Sequence, residues 1–382
     1  MSTLQPKPIR TDGSNLFARR SFEGRIPSII LRVIEGNAYS ADVVDRLNQF
    51  YTNVIEDAPF PLLELPADDV DLWHTALEER PGESWLNTDW FFAETFFFRY
   101  ILEAVRYGKS QQDPYRFIKN TELSDVTAAM IFKALSDPIR SDQLLWNRLE
   151  GALWGNQADL SHPISLEKDL SVAGDKLLID DRDSVIRRLH VGTGSVHIVT
   201  DNFGMELAAD LLLVDTILSA KIPVIMHLKS NPTYVSDATV QDVFWMLEWL
   251  EKDLGNEAAD LARRLVSSIE TRQLRLESDD FWNSHYFLTS IPERIRKPWS
   301  EARLIILKGD ANYRRAVNDT IYPGGTLFRD LTRSLRAPLV ALRTLKSDPI
   351  VGLDAVTVAS LDSLDSQWRT NGKRGIIQFA SS

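Results

Sequence analysis

The sequence predicts an α/β protein in which an all-α helical domain precedes a three-layer α/β/α core with a parallel or mixed sheet. Residues 39–135 carry apolar side chains at helical spacings of three and four. From about residue 185 onwards, short apolar runs alternate with helical segments, a pattern typical of strands covered by helices on both faces. A charged, weakly patterned stretch separates the two regions. We therefore predict a helical domain over residues 1–165 and an α/β/α catalytic domain over residues 185–382, with the boundary within 165–185.

The composition is that of an ordinary globular protein, and it excludes several classes. The 382 residues are 44% hydrophobic and 25% charged, with a formal net charge of -11. A nucleic-acid binder would carry a basic surface, so we expect no nucleic-acid partner. The chain has no cysteine, which excludes disulfides, thiolate zinc sites and a cysteine nucleophile. Because no signal peptide or membrane-length apolar stretch is visible, we expect a cytoplasmic protein, with the nucleus as a second compartment and no membrane partner.

Two segments define the predicted helical domain. Residues 41–50 place apolar side chains three and four positions apart. Residues 90–102 are rich in aromatic side chains, and at helical spacing these are more typical of a core than of a cofactor site. Because an unpaired charge inside an apolar core is unfavourable, we expect Glu94 and Arg99 of this segment to have partners. Further helices are predicted over residues 125–135 and 141–154.

A polar loop follows the helix predicted over residues 141–154. Gly155 is a suitable residue to end that helix, and Asn156 and Asp159 come after it. As amide and carboxylate side chains displayed on a loop, Asn156 and Asp159 are candidate site residues. The alternative is that they only form the turn.

The strongest functional signal lies where a buried strand, predicted over residues 196–200, meets a helix. Asp201 and Asn202 stand at the carboxyl end of this strand, and Gly204 allows a tight turn. Ligands bind at this end of the strands in open α/β sheets, and a helix N-terminus favours an anion. Carboxylate and amide oxygens suit Mg, Mn and similar divalent ions. The alternative is that either residue only caps the helix, because Asp and Asn are preferred there.

Charged residues also follow three further predicted strands, over residues 222–228, 303–307 and 339–342. A fifth strand is predicted over residues 376–379. The carboxylates and cations that follow the strands are Asp201, Asp237, Asp310, Lys229, Lys308, Arg314, Arg343 and Lys346. If the strands are parallel, these side chains gather along one edge of the sheet. Carboxylates could bind a metal there and cations a phosphate. Each residue alone could be a helix cap or a solvated charge, but together they predict a site.

Four motifs in order carry a family resemblance. They are Trp154-Gly155-Asn156-Gln157-Ala158-Asp159, Asp201-Asn202-Phe203-Gly204-Met205-Glu206, Lys308-Gly309-Asp310-Ala311-Asn312-Tyr313-Arg314 and Arg343-Thr344-Leu345-Lys346. Together they resemble the metal-dependent damage-control phosphatase family, and more narrowly its subfamily with an Arg-Thr-x-Lys motif. The aromatic helix with Glu94 and Arg99 is also similar to that subfamily, so the resemblance covers most of the chain. It implies a helical N-terminal domain packed on an α/β/α core.

The resemblance also implies roles for single residues. A divalent metal such as Mn, Co or Ni, with Mg as a further candidate, would be bound by Asp201, Asn202 and Asp237. A phosphorylated sugar, such as fructose 1-phosphate or fructose 6-phosphate, would be bound by Asp201, Asn202, Asp310, Ala311, Asn312, Tyr313, Arg314 and Lys346, with Arg343 as a further candidate. The implied activity is that of a phosphoric monoester hydrolase that limits metabolite damage. From its position one turn into the helix, we add Glu206 to Asp201 and Asn202 as a catalytic candidate that orients a water or a sugar hydroxyl; the alternative is that Glu206 only interacts favourably with the helix dipole. The nucleophile is left open between a water held by the metal and the Asp201 carboxylate.

Other classes of protein stay open. The same subfamily is associated with S-adenosylmethionine-dependent methylation of protein carboxylates, but Gly192 and Gly194 precede a strand, whereas a cofactor-binding glycine loop would follow one. A haloacid-dehalogenase-type phosphatase would need a second Asp where the chain has Phe203. A non-catalytic sugar-phosphate binding protein is a third alternative. The chain has no G-x-S-x-G elbow and no H-E-x-x-H pair, so serine and zinc hydrolases of those types are not supported.

Overall fold

Within residues 6–135, 142–155 and 176–381, which this computed structural model describes, seven strands form one central sheet. The order across the sheet is β2-β9-β8-β6-β3-β4-β5, and two further short strands, β1 and β7, pair separately. The strands are β1 (Lys7–Pro8), β2 (Leu177–Asp180), β3 (Val196–Val199), β4 (Val224–Leu228), β5 (Leu274–Ser278), β6 (Leu304–Lys308), β7 (Thr320–Ile321), β8 (Leu339–Thr344) and β9 (Gly375–Ala380).

Most of the sheet is parallel, and it reverses its winding beside β3. Strands β3, β4, β5, β6 and β8 run in one direction, whereas β9 is antiparallel to β8 and pairs in parallel with β2. The chain moves outward from β3 through β4 to β5 and then returns to β6 on the other side of β3. Ligands of open α/β sheets bind at the carboxyl ends of the strands where the winding reverses. In this fold that position lies between the ends of β3 and β6.

Helices cover both faces of the sheet and form the N-terminal part of the molecule. They are α1 (Leu16–Arg20), α2 (Ile26–Gly36), α3 (Ala41–Ile55), α4 (Val70–Glu78), α5 (Trp90–Ala104), α6 (Tyr107–Ser110), α7 (Arg116–Glu122), α8 (Asp125–Leu135), α9 (Asp142–Trp154), α10 (Arg182–Val191), α11 (Met205–Ser219), α12 (Val240–Asp253), α13 (Gly255–Glu270), α14 (Glu293–Ser300), α15 (Gly309–Ala316), α16 (Phe328–Thr332) and α17 (Ala355–Leu364). A π-helical turn, Ser21–Arg25, joins α1 to α2. No helix in the described ranges is long and apolar enough to cross a membrane.

The sheet is buried on both faces, which explains why its central strands read as continuous apolar runs. Ile198 of β3 packs toward α8 to α13, whereas Val199, the next residue, packs toward α14 to α17. The three-layer α/β/α fold predicted from the sequence is confirmed. Helices α8 and α9 pack with the sheet, although they precede the predicted boundary at residues 165–185. That boundary stays a prediction.

The first helices have an aromatic core of their own. Helix α5 is buried along almost its whole length, and its Phe96 lies 5.5 Å from Trp73 between ring centroids. The expectation that Glu94 and Arg99 have partners is confirmed. The Arg99 Nε donates to Asp69 at 2.7 Å, and Glu94 is paired in the site described below.

Two strands of the central sheet, β2 and β5, were not predicted from the sequence, and both lie at its edges. The short separate strands β1 and β7 were not predicted either. Strand β5 leaves Arg275 and Glu277 only partly covered, so its residues do not form an apolar run. Strand β2 lies within the weakly patterned stretch that was assigned to the domain boundary. The five predicted strands are all present, with bounds that differ by one or two residues.

Candidate active site

A cleft of about 1240 Å³ lies at the carboxyl ends of β3, β4, β6 and β8. One wall is the edge of the sheet, and the other walls come from α5, from residues 121–127 and from the connection between α17 and β9. Residues that line it include Trp90, Glu94, Asp201, Asn202, Glu206, Tyr234, Ser236, Asp237, Asp310, Ala311, Arg314, Lys346, Lys373 and Arg374. The structure therefore brings together residues from both ends of the chain.

Asp201 occupies the point where the sheet reverses its winding. Its carboxylate lies against Gly309, the first residue of α15, so closely that a Cβ on Gly309 would stand 1.9 Å from Asp201 Oδ2. Gly309 also has a φ of 80°, which L-residues rarely adopt. The glycine of the Lys308-Gly309-Asp310 motif therefore lets the ends of β3 and β6 approach each other.

The capping alternative for the candidate residues does not hold. Helix α11 begins after Gly204, which has no side chain to cap it. Helix α12 is capped by Thr239, in a reciprocal capping box with Asp242. The side chains available for a site are therefore those of Asp201, Asn202 and Asp237.

Two carboxylates orient the amide of Asn202. Its Nδ2 donates to Asp201 Oδ2 at 3.0 Å and to Glu206 Oε2 at 3.1 Å, and its Oδ1 accepts from Ser236 Oγ at 2.6 Å. A flipped amide would place its oxygen against two acceptors, so the carboxylates determine its orientation. The Asn202 oxygen therefore faces the loop that carries Asp237.

That loop reaches the site in a strained conformation. Tyr234 and Val235 have φ values of 48° and 72°, and this left-handed region is unfavourable for a β-branched residue. The ring of Tyr234 packs 4.9 Å from Phe98 of α5 between centroids. An isolated antiparallel bridge then joins Asp237 to Asn202. The aromatic core of the first helices thus holds the loop that positions Asp237.

Burial and mutual repulsion dominate the electrostatics of the acidic residues. Burial raises the pKa of Asp201 well above its usual range, and the carboxylates of Glu206 and Asp237 raise it further. Burial also raises the pKa of Asp237, although Lys229, which forms an ion pair with it at 2.9 Å, opposes this. Among the described residues, none donates a hydrogen bond to Asp201 Oδ1. The site therefore concentrates more acidic oxygen than its own cations neutralise.

These oxygens fit a hard divalent cation. Two carboxylates and one amide oxygen are typical ligands of such ions. Within the ranges that the structure covers, no group of three His, Asp or Glu side chains forms a metal site by itself. The donor set of Asp201, Asn202 and Asp237 instead relies on an amide oxygen for its third member.

The cations Lys346 and Arg314 also line the cleft. The side chain of Lys346 lines the cleft, and its charge opposes the rise in the pKa of Asp201. Asp310 accepts from Arg343 Nε at 2.8 Å and from the Lys346 backbone N–H at 3.2 Å. Burial alone would raise the pKa of Asp310, but Arg343 and Arg314 lower it below its usual range. Arg343 is fully buried and does not line the cleft, so it supports the segment that carries Lys346.

Arg314 is held between two carboxylates at the back of the cleft. It binds Asp319 through Nε at 2.7 Å and Nη2 at 3.0 Å, and Glu94 through Nη1 at 2.5 Å. Its guanidinium lies 3.6 Å from the ring centroid of Trp90. Glu94 also accepts from Arg25 at 2.8 Å. Although burial opposes it, the two carboxylates raise the pKa of Arg314 above its ordinary value, so this cation is permanent.

The rest of the Asp310-to-Arg314 segment divides between the cleft and the core. Ala311 lines the cleft, whereas Asn312 and Tyr313 do not. Asn312 Nδ2 donates to the Thr200 carbonyl at 3.0 Å, and the Tyr313 hydroxyl donates to Gln378 at 3.2 Å. Both side chains fasten α15 to the sheet. Their placement does not support the prediction that these two side chains bind the substrate, and that role stays a prediction.

The last candidates, Asn156 and Asp159, lie outside the described residues. The preceding Gly155 does line the cleft. A Cβ at Gly155 would stand 2.9 Å from the Cα of Glu206, so the end of α9 packs closely on the start of α11.

Some residues of the cleft are not signalled by the sequence. Lys373 and Arg374 follow no motif, and Ser236 is one of many serines. Glu94 gave a signal only as a charge in an aromatic helix. Its partnership with Arg314 depends on long-range folding, which local patterns do not report.

The fold and the cleft define the class of protein: an α/β protein with an acidic and cationic small-molecule site at the switch point of its sheet. The model of the damage-control phosphatase ARMT1-like domain matches residues 22–361, and the chain belongs to this family. It is thus one of the damage-control phosphatases, hydrolases whose substrates are small phosphorylated metabolites. The family resemblance seen in the sequence is confirmed.

Individual relatives match over nearly their full length. The chain is 26% identical to damage-control phosphatase ARMT1 of Danio rerio, over 99% of this chain and 98% of that protein. It is 25% identical to damage-control phosphatase ARMT1 of Homo sapiens, over 95% and 96% of the two chains. A DUF89 family protein from Pyrococcus horikoshii has a similar fold, with a TM-score of 0.54 and 16% identity over 95% of this chain and 98% of that one.

Proposed function

We propose that this protein is a metal-dependent phosphatase that hydrolyses sugar phosphates of the fructose 1-phosphate or fructose 6-phosphate type. The metal would be Mn, Co or Ni, with Mg as a further candidate, held by Asp201, Asn202 and Asp237. The observation that carries the proposal is the pair of buried carboxylates, Asp201 and Asp237, which converge beside the fixed Asn202 oxygen. Burial raises both pKa values, and repulsion from neighbouring carboxylates adds to this; a divalent cation would favour the ionised forms.

The other residues of the cleft support a phosphate ester as the ligand. Lys346 and Arg314 line the same cleft as the carboxylates. Although Arg314 is also paired with Asp319 and Glu94, such cations bind the oxygens of a phosphoryl group. Asn202 donates to Oδ2 of Asp201, so the other oxygen, Oδ1, is the one that would accept a proton from water or attack phosphorus itself. When bound, the metal would neutralise charge on the phosphoryl oxygens.

The methyltransferase alternative receives no support from the glycine-rich segment. Gly194 lies at the amino end of β3, which is the edge of the sheet opposite the cleft. A Cβ on Gly194 would stand 2.3 Å from the Glu301 carbonyl oxygen. This glycine is therefore required by close packing between two backbone segments.

The test is phosphate release by metal-stripped protein. Fructose 1-phosphate, fructose 6-phosphate and other sugar phosphates would be assayed with Mn, Co, Ni or Mg added back singly. We expect release only with metal, and we expect Asp201→Ala to lose at least about 10³-fold in rate because it removes a group that touches the reacting atoms. Asp215→Ala is the matched control, since Asp215 lies on α11, the helix that follows Asp201, and pairs with Arg264 of α13 outside the cleft.

The outcomes separate the candidate functions. Asp215→Ala should keep the wild-type rate, with both variants shown to be folded by their thermal melting curves. Release without metal, or near-normal release by Asp201→Ala, would overturn the site assignment. If a folded wild-type protein released no phosphate with any metal, a methyl-transfer assay and a binding assay with the same sugar phosphates would follow.

A further inference from the structure

A buried lysine lies directly beneath the cleft, at the end of β6. The side chain of Lys308 is completely buried. Its Nζ donates to the Ala152 carbonyl at 2.5 Å and to Glu206 Oε1 at 2.9 Å, and it pairs with Asp210 Oδ1 at 2.9 Å. Two of the three N–H donors of the ammonium therefore go to Ala152 and Glu206, and Asp210 contributes an ion pair. Lys308 therefore ties together α9, α11 and the end of β6.

Stability alone is a weak reason for this arrangement. Burying a lysine with two carboxylates loses much hydration energy, and apolar residues of similar size are often as stabilising in such places. The cluster also leaves one uncompensated acidic group, since Lys308 faces both Glu206 and Asp210. A buried cation of this kind does, however, restrict the orientation of whatever carboxylate it holds.

The carboxylate that Lys308 holds is the one that orients Asn202. Glu206 uses Oε1 for the Lys308 ammonium and Oε2 for the Asn202 amide, at 2.9 Å and 3.1 Å. Because a carboxylate is planar and rigid, fixing the first oxygen fixes the second. The second oxygen, Oε2, accepts from the Asn202 Nδ2 and so keeps this nitrogen directed to Glu206. The Asn202 Oδ1 is therefore directed to the opposite side, toward Ser236.

We propose that Lys308 is a positioning residue of the cation site: through Glu206, it holds the Asn202 amide with Oδ1 directed to where the cation binds. The inference rests on the proposed function only in placing a divalent cation at Asp201, Asn202 and Asp237. Glu206 is then also a positioning residue, since both of its oxygens are engaged in holding other groups.

The test is the affinity of metal-stripped, full-length protein for Mn²⁺, read from the electron paramagnetic resonance signal of free Mn²⁺. Lys308→Met removes a positive charge near a cation site, so a purely electrostatic role predicts tighter binding. A positioning role predicts weaker Mn²⁺ binding instead. Loss of a group that orients a ligand weakens metal binding by about 10- to 100-fold, and we expect a loss of that size. Unchanged or tighter binding by folded Lys308→Met would overturn the proposal.

A second substitution tests the connection through Glu206. With Lys308 present, Glu206→Gln should turn its amide oxygen to the ammonium and its nitrogen to the Asn202 nitrogen, which weakens Mn²⁺ binding by about 10-fold or more. In the double variant Lys308→Met/Glu206→Gln, the glutamine is free to present its oxygen to Asn202. We therefore expect the Lys308→Met substitution to tighten Mn²⁺ binding when it is added to Glu206→Gln, although it weakens binding in the wild-type background; a purely electrostatic role would tighten binding in both backgrounds. Equal or weaker binding would contradict the proposal, even if Lys308→Met by itself does not fold.

Arg99→Met is the control for loss of a buried cation. Arg99 is buried in the helical core, pairs with Asp69 at 2.7 Å, and does not line the cleft. The Arg99→Met variant should have a lower melting temperature but an unchanged Mn²⁺ affinity. If it lost as much affinity as Lys308→Met, the weaker binding would be explained by reduced stability, and the positioning role would fail. If the wild-type protein binds no Mn²⁺, the proposed metal site fails first. If the wild type binds and Lys308→Met binds equally, only the positioning role fails.

Discussion

Replacing Gly309 by alanine should disable the site while leaving most of the fold intact. Two separate penalties act on the new methyl group. A φ of 80° is unfavourable for an L-residue by about 1–2 kcal/mol. The added Cβ would also stand 1.9 Å from Asp201 Oδ2 and 2.1 Å from its Cγ. Non-bonded atoms do not approach so closely, so the carboxylate must retreat by about 1 Å or more.

The two penalties can be measured apart. A displacement of about 1 Å at a reacting group lowers rates by about 100-fold, so metal-dependent phosphate release should fall by at least that factor. Gly82→Ala is the matched control, because Gly82 has a φ of 76° and nothing within 4 Å of its added Cβ. Gly82→Ala should lose about 1–2 kcal/mol of unfolding free energy in urea, and Gly309→Ala should lose at least that much because its methyl group also displaces a carboxylate. Equal activities in the two variants would refute the role of the close approach.

Three further predictions follow from the same structure. Lys346→Ala should raise KM for a sugar phosphate more than it lowers kcat, because its charge faces the cleft; steady-state kinetics would show an unchanged KM if this is wrong. Arg314→Met should reduce the free energy of unfolding by about 3–5 kcal/mol, because Asp319 would be buried without its cation and Glu94 would keep only Arg25; a urea midpoint near that of the wild type would contradict this. Burial lowers the pKa of His227 to about 3. Near pH 6.5 the unfolded chain therefore binds a proton at this residue, whereas the folded protein does not. Stability from His227 is present above that pH and is lost on acidification, by about 2 kcal/mol between about pH 7.5 and pH 5; His227→Gln should remove this part of the pH dependence.

The central strands were predictable because they are buried on both faces. Strand β3, for example, reads Val196-His197-Ile198-Val199 and has only buried side chains. Strand β5 was not predictable by the same rule, because an edge strand with exposed charges has no continuous apolar run. The antiparallel direction of β9 is likewise invisible in its sequence, which would suit either orientation.

The acidic half of the site was predictable for a topological reason. Carboxyl ends of parallel strands meet at one edge, so Asp201, Asp237 and Asp310 had to be neighbours once the sheet was predicted. The topology of the sheet does not predict which side chains of α15 point into the cleft. The side chains of Asn312 and Tyr313 turn to the sheet because a short helix at a strand end exposes only one side.

Glu94 and Arg314 are 220 residues apart in the chain, yet they form one wall of the cleft. Closing so long a loop is slow compared with local pairing. During synthesis, α5 leaves the ribosome long before β6 and α15 are made, so the contact between α5 and α15 forms only after the later segment has been synthesised. A chain interrupted before residue 314 would leave Glu94 without Arg314 in an aromatic core. Binding competence therefore appears late in biogenesis, and only nearly complete molecules can acquire it.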